Sequence, residues 1–272
     1  MLRVLSTHFF LQHRLHPGLL DLAARSGAEA IEIFAARQHF DYTSREDISE
    51  IAGWFRSNPL QAFSMHAPLF PDREMGRAGA PAVNVLHADK ARRIAAMDEI
   101  KRALEATEHL PLHHMVVHLG EATDSWSPRA LEHSLTALEH LGAFARPLGV
   151  SLLVENLVSE ATTPEHLMQI LEMGHLDTVN VCLDLGHAHI TVGIREAIAT
   201  LASRIRSLHV HDNQGVRDAH LWPGEGSIEW DSTMETLRKL ATPPAAVLEI
   251  HYNLYDPQSA EEKIRQAFSK LA

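Results

Sequence analysis

The sequence predicts a (β/α)8 barrel, an α/β fold built as a single domain over residues 1–272. Three observations carry that prediction. Eight short apolar, β-branched runs alternate with eight longer helix-like segments, the arithmetic of a closed parallel barrel. Helix-like segments open on capping signals, such as "TTPE" before His166 and "SPRALE" after Trp126, where Ser or Thr precedes Pro at the first turn. The competing doubly wound open sheet would carry a Gly-rich phosphate turn after its first strand, and "STHFFLQHRLHPG" has no GxGxxG.

Taken in order, a strand at residues 2–9 leads to a helix at 18–26, and the run at 30–34 leads to a helix at 44–57. The third strand, 62–67, is followed by "PLFPDREMGRAGAP", residues 68–81, the one stretch where Pro and Gly cluster. It reads as a long loop, a lid or a disordered insertion, on the face where barrels keep their substrates. Helix 88–108 and strand 114–119 come next, then helix 127–147, strand 151–156 and helix 164–173. Strand 179–184, helix 193–203, strand 205–212, helix 231–240, strand 245–250 and a last helix at 258–271 complete the alternation.

Composition narrows the function classes. The chain is 45% apolar and carries 24 Lys plus Arg against 35 Asp plus Glu, a formal charge of −11. That balance argues against a partner gripped through phosphates. Cys182 is the only cysteine, so no intrachain disulfide forms. No run approaches the ~20 apolar residues that span a bilayer, and the N-terminus lacks the apolar core of a signal peptide, so a cytoplasmic protein is expected. The 20 histidines are dispersed, many of them following apolar runs.

Read with a period of two, the strands place their polar residues on one face. Glu155 shares a face with Leu153, Asp184 with Cys182, Glu249 with Val247, His66 with Ser64 and His118 with Val116. The last inward residues of six successive strands are then His66, His118, Glu155, Asp184, His209 or His211, and Glu249. In a barrel such residues converge on one pocket at the C-terminal end. Three converging carboxylates repel, and burial opposes their ionisation. A divalent cation relieves both problems, and neutral histidines complete its shell. A lone strand-end histidine is more often a hydrogen-bonded core residue, and a lone glutamate more often a salt bridge. Here the inward ends hold hardly any Lys or Arg, and six coincidences favour a metal.

In "CLDLGHAH", His187 follows Asp184 by three residues, and Gly186 is expected to allow a tight backbone path between them. In "HVHDNQGVRDAHLWPGEG", period two leaves His209 and His211 equally inward. His8 and Glu32 end the first two strands facing inward, as substrate contacts or core hydrogen bonds. Trp222 and Trp230 are expected to pack under the PGEG turn, and His113 and His114 to be solvated.

With "MHAPL", "VVHLGE", "LLVENL", "CLDLGHAH", "LHVHDN", "DAHLWPGEGSIEW" and "LEIHYN", nearly the whole chain resembles the xylose-isomerase-like TIM-barrel superfamily of sugar epimerases, sugar-phosphate isomerases and endonuclease IV. The resemblance implies a metal held by Glu155, Asp184, His209 and Glu249, selecting His209 over His211, which with Asp212 moves to a supporting or substrate-contacting role. It implies that Glu155 and Glu249 are the catalytic acid/base pair acting through a cis-enediolate. His187 would contact substrate, and Arg217 lies near a substrate-contacting position. Endonuclease IV is matched more widely, its tri-zinc ligands corresponding to His66, His118, Glu155, Asp184, His187, His209, Asp218, His220 and Glu249. His66, His118, Asp218 and His220 are thus additional metal ligands or substrate contacts, and Asp218 and His220 could instead brace their loop.

The loops after the first three strands offer mainly Arg14, Arg37, Arg73 and Arg77, and "LGEATDSW" is acidic. That favours a sugar, sugar-phosphate or polyol substrate over abasic DNA, and an isomerase or epimerase over a phosphodiesterase or a non-catalytic sugar- or metal-binding barrel. The four-residue set suits Mn²⁺, with Mg²⁺ or Co²⁺ as substitutes, and the added histidines suit Zn²⁺. Dimers or tetramers are common among similar proteins, so a homo-oligomer is expected from the resemblance.

Overall fold

The computed structural model describes residues 1–71, 81–251 and 257–271. Its elements are β1 (Arg3–Ser6), α1 (Pro17–Arg25), β2 (Ala30–Phe34), α2 (Arg45–Ser57), β3 (Gln61–His66), α3 (Lys90–Glu105), β4 (His114–Val117) and α4 (Pro128–Ala145). They continue through β5 (Ser151–Glu155), α5 (Pro164–Met173), β6 (Asn180–Asp184), α6 (Leu185–Ile190), α7 (Ile194–Leu201), β7 (Ile205–Val210), α8 (Trp230–Arg238), β8 (Ala245–Leu248) and α9 (Pro257–Leu271). The strands are parallel and close on themselves, β1 pairing with both β2 and β8. The (β/α)8 expectation holds.

The capping signals do what their residue types dictate. Ser44, Ser127 and Thr163 accept backbone N–H bonds from Asp47, Ala130 and His166, with Pro128 and Pro164 at the first helical turn. Each such cap stabilises its helix by about 1 kcal/mol. Several strands end earlier than the apolar runs do. β1 stops at Ser6 because its hydroxyl accepts from the His8 N–H and the chain turns into a 3-10 helix, Thr7–Phe10. The apolar run alone cannot show that turn, because its residues stay buried after the strand has ended.

The pleat divides each strand between two cores. Leu5, Ile33, Met115, Val154 and Leu183 face outward, buried beneath the helix ring. On the inner face, Val4, Ala30, Phe63, Ala245 and Val247 fill the lumen toward the N-terminal ends of the strands. Val116, Leu153 and Cys182 form a further apolar cluster. This packing fills the barrel below its C-terminal mouth. Residues 72–80 of the expected lid lie outside the described residues. Among the described residues, no helix is long and apolar enough to cross a membrane.

Candidate active site

At the C-terminal mouth the inward strand ends meet. His66, Glu155 and Asp184 are the last residues of β3, β5 and β6, His209 lies within β7, and His118 and Glu249 stand one residue beyond β4 and β8. A cavity of about 370 Å³ opens above them. Its lining includes His66, His118, Glu155, His187, Asp218, His220 and Glu249, with Phe34, Leu69, Phe70, Val83, Leu157 and Val158 supplying apolar surface. No Lys or Arg appears among its described lining residues.

The centre of the arrangement is His209, fully buried. Its Nδ1 faces Glu155 Oε1 at 3.2 Å, Glu249 Oε2 at 3.4 Å and Asp184 Oδ2 at 4.0 Å, yet it has no hydrogen-bond partner. An unpartnered imidazole nitrogen turned into three buried carboxylates is a donor set that could hold a cation. Burial by itself would raise the Glu155 carboxyl, but His209 and His118 outweigh it and hold it well below the usual carboxylate range. Burial likewise opposes ionisation of Glu249, and His209, His8 and His220 overcome it to bring it to about 2. Burial disfavours charge on His209 too, but Cys182 and the surrounding glutamates lift it well above its ordinary value.

Asp184 is held by a double clamp. Its backbone N–H donates to Asn156 Oδ1 (2.8 Å) and its carbonyl accepts from Asn156 Nδ2 (3.0 Å). Its Oδ1 accepts from the His187 N–H and its Oδ2 from His211 Nε2 (2.9 Å). Gly186 does not mark a tight turn but lies in α6, a short helix that periodicity did not reveal. A Cβ there would stand 2.0 Å from the His211 ring, so the close approach of that imidazole is what requires glycine.

Two further clusters flank the centre. His66 Nε2 and His118 Nε2 lie 3.2 Å apart and approach Glu155 Oε2 at 3.4 and 3.1 Å. On the other flank Asp218 Oδ2 is 3.2 Å from His187 Nε2 and 3.1 Å from His220 Nε2. Burial would raise Asp218, but hydrogen bonds from the two histidines hold it far below the carboxylate range. Against burial, Asp184 and Asp218 lift His187 to about 10, and Asp218 and Glu249 lift His220 to about 9. His66, His187 and His220 share one device: each places Nδ1 against a backbone carbonyl, of Ala67 (2.7 Å), Asn156 (2.9 Å) and Glu249 (2.9 Å). That contact fixes each ring with Nε2 turned toward its cluster, an orientation that could also serve a metal-binding histidine. His220 takes a left-handed backbone, φ +43°, as does His175 just past α5, so at this rim the conformation is held by the loop and by the Nδ1 contact to Glu249.

A family model described as a xylose isomerase-like TIM barrel matches residues 20–271. The chain belongs to that family. Its sequence is 22% identical over 259 residues to the inosose isomerase of Halalkalibacterium halodurans, covering 91% of this chain and 87% of the relative. Three uncharacterised relatives, two from Methanocaldococcus jannaschii and one from Sinorhizobium fredii, are 25–26% identical, and the alignments span 59–62% of their length. A D-tagatose 3-epimerase-like protein superposes with a TM-score of 0.78 at 23% identity, covering 100% of this chain and 98% of that one. The IolI protein crystallised with a bound zinc atom gives 0.77 at 20% identity, covering 99% and 96%.

In this xylose isomerase-like barrel, the residues singled out from sequence separate by their place relative to the cavity. Nine line or underlie the mouth in the three clusters just described. His8 lines the cavity between Phe34 and His220, its Nδ1 unpartnered, and burial pushes its pKa down to about 3. Glu32 and His211 lie beneath the cavity rather than in its wall, Glu32 against His209 and His211 stacked on His220 at 3.9 Å. Arg217 is exposed on its loop and does not line the cavity. His114, expected in solvent, opens β4 and packs against Phe63 because the lumen face claims it. Trp222 packs edge-on against Phe9, and Trp230 donates its indole N–H to Asp212, both under the loop as expected.

Sequence reasoning missed two contributors, Asn156 and Cys182, whereas Asp212 was expected in a supporting or substrate-contacting role. Asn156, the clamp of Asp184, directly follows Glu155, and an amide next to a strand-end carboxylate was the available signal. Cys182 sits with Glu155 and His209 in one group whose ligating atoms lie within 4.8 Å of one another. Asp212 organises the PGEG loop: Oδ1 accepts from the N–H groups of Asn213 (2.9 Å) and Ile228 (3.2 Å), and Oδ2 from Gly224 N–H (2.8 Å) and Trp230 Nε1 (2.8 Å).

Proposed function

We propose that the chain, acting as one domain over residues 1–272, is a divalent-metal-dependent isomerase or epimerase of a sugar or polyol. The observation that carries this reading is the placement of Glu155 and Glu249 on a common centre with the unpartnered Nδ1 of His209. Glu155, Asp184, His209 and Glu249 would hold the ion, which supplies Lewis-acid polarisation of a substrate carbonyl and its neighbouring hydroxyl. That donor set suits Mn²⁺, Mg²⁺ or Co²⁺, while the histidine-rich flanks suit Zn²⁺. One glutamate removes the proton from the carbon beside the carbonyl to give a cis-enediolate, and the other returns a proton to the opposite face. His187 and His220 stand at the wall to hydrogen-bond substrate oxygens, and the apolar lining excludes water. The inosose isomerase and the epimerase-like neighbour are similar proteins with names of this reaction class.

A second reading has its own observation. All nine positions that resemble the tri-zinc ligands of endonuclease IV come together in three adjacent clusters, which supports a multinuclear phosphodiesterase. The absence of Lys and Arg from the described lining favours the sugar reading.

Two measurements separate them. Metal content of natively purified protein gives ion identity and count. Proton NMR in D₂O reads exchange of the carbon-bound hydrogen in free ketohexoses and inososes. The expected result is chelator-sensitive exchange, lowered roughly 10²–10⁴-fold in Glu249→Gln. Cleavage of an abasic-site duplex, abolished by EDTA and lost in His118→Ala, together with three zinc ions per chain, would replace the isomerase reading.

A further inference from the structure

Glu32, the third residue of β2, is fully buried in the lumen and does not line the cavity. Among the described residues no Lys or Arg pairs with it. Its contacts are two: Ser64 Oγ donates to Oε2 at 2.8 Å, and His209 Nε2 lies 3.2 Å from Oε1 and 3.4 Å from Oε2. A buried carboxylate without a cation is costly to keep, by several kcal/mol in typical proteins. Of these two partners, His209 is the residue whose opposite nitrogen faces the carboxylate cradle.

The contrast with the other histidines gives this contact its meaning. His66, His187 and His220 are each anchored at Nδ1 by a neutral backbone carbonyl and present Nε2. His209 is turned the other way, anchored at Nε2 and presenting Nδ1, and its anchor is a charged side chain. A carboxylate holds an imidazole proton more tightly than a carbonyl does, because the acceptor is ionic. It also increases electron density at the far nitrogen, which strengthens that nitrogen as a ligand.

We propose that Glu32 is the positioning residue for His209: with Ser64 fixing the carboxylate, it keeps the imidazole proton on Nε2 and directs the Nδ1 lone pair into the Glu155–Asp184–Glu249 cradle. Glu32 therefore acts on the metal through His209 and touches no substrate. This rests on the metal-binding reading of that cradle.

The test measures metal affinity and tautomer, independently of turnover. Mn²⁺ and Zn²⁺ affinities are read by chelator competition in native protein, Glu32→Gln and Glu32→Leu. ¹⁵N NMR of the imidazole nitrogens of the zinc-loaded, histidine-labelled protein reads which nitrogen of His209 bears the proton. Glu32→Gln keeps an acceptor but loses the charge, and its affinity falls toward the lower end of a roughly 10–100-fold range. Glu32→Leu loses both, falls toward the upper end, and loses the uniform Nε2–H signal. If Glu32→Leu does not fold, the isosteric Glu32→Gln decides. Metal binding as tight as native in Glu32→Gln, with an unchanged His209 signal, overturns the positioning role and leaves the metal reading standing. Native protein that binds no divalent metal at this cradle overturns both.

Discussion

The lower and upper halves of the lumen are built from the same strands and the same inward face, yet they carry opposite chemistry. On β5, Leu153 is followed two residues later by Glu155, on β6 Cys182 by Asp184, and just past β8 Val247 is followed by Glu249. On β4, Val116 stands between His114 at the bottom and His118 at the mouth. The pleat decides which face a residue takes, and the height along the strand decides whether it fills the apolar plug or brings a polar group to the mouth. Histidine makes the difference plain. Burial pushes His114 down to about 4, aided by His113 and Arg206, because no carboxylate offsets it. At the mouth carboxylates override the same burial at His187 and His220, which rise, whereas burial still prevails at His8 and His118.

The comparison can be broken by experiment. The largest stability effect is expected in the lower half: Leu153→Ala costs about 2–5 kcal/mol through lost burial and a residual cavity, with the metal count unchanged. Denaturant unfolding of the metal-free protein reads the cost, and a variant that loses metal while keeping native stability would erase the division between layers. Next comes the rim. Asp212→Asn turns an amide N–H₂ toward two donors that now find a carboxylate oxygen, at a cost of about 3 kcal/mol. Hydrogen exchange at Gly224 and Ile228 should accelerate, whereas unchanged protection there contradicts the bracing role. The smallest effect is electrostatic. Because His114 is depressed in the folded state, its contribution is fully present above its unfolded value of 6.5 and is lost as pH falls from there toward about 4. Partial exposure keeps this to about 1 kcal/mol. His114→Gln should flatten the stability curve across that interval, and an unaltered slope would mean that His114 is not held neutral by burial.

Much of this was legible because two periodicities are strong here. Buried parallel strands bounded by capped helices placed all eight β-strands, and β2 (Ala30–Phe34) and α5 (Pro164–Met173) match their expected bounds. Period two made the six strand-end residues visible as a set. Where periodicity stops, so does legibility. Asp218 and His220 lie on a loop whose path no repeat encodes, and only the fold brings them to His187. The choice between His209 and His211 escaped the pattern because both lie on one face, and depth separates them. His209 meets the cradle, while His211 supports Asp184 from beside Gly186. α6 was unreadable because its six residues begin at the strand's last carboxylate, which serves as its cap.

Asp212 carries a consequence beyond bracing its loop. In many barrels the loops after the seventh and eighth strands offer their amides to a phosphate. Here the loop after β7 turns the N–H groups of Gly224 and Ile228 onto a carboxylate of its own chain. Such a group acts as a resident anion with an effective concentration on the order of mM or higher, set by the tether. An incoming phosphate must displace it and leave Asp212 buried without its donors. These amides are therefore satisfied within the chain as it folds, and neither Gly224 nor Ile228 lines the cavity.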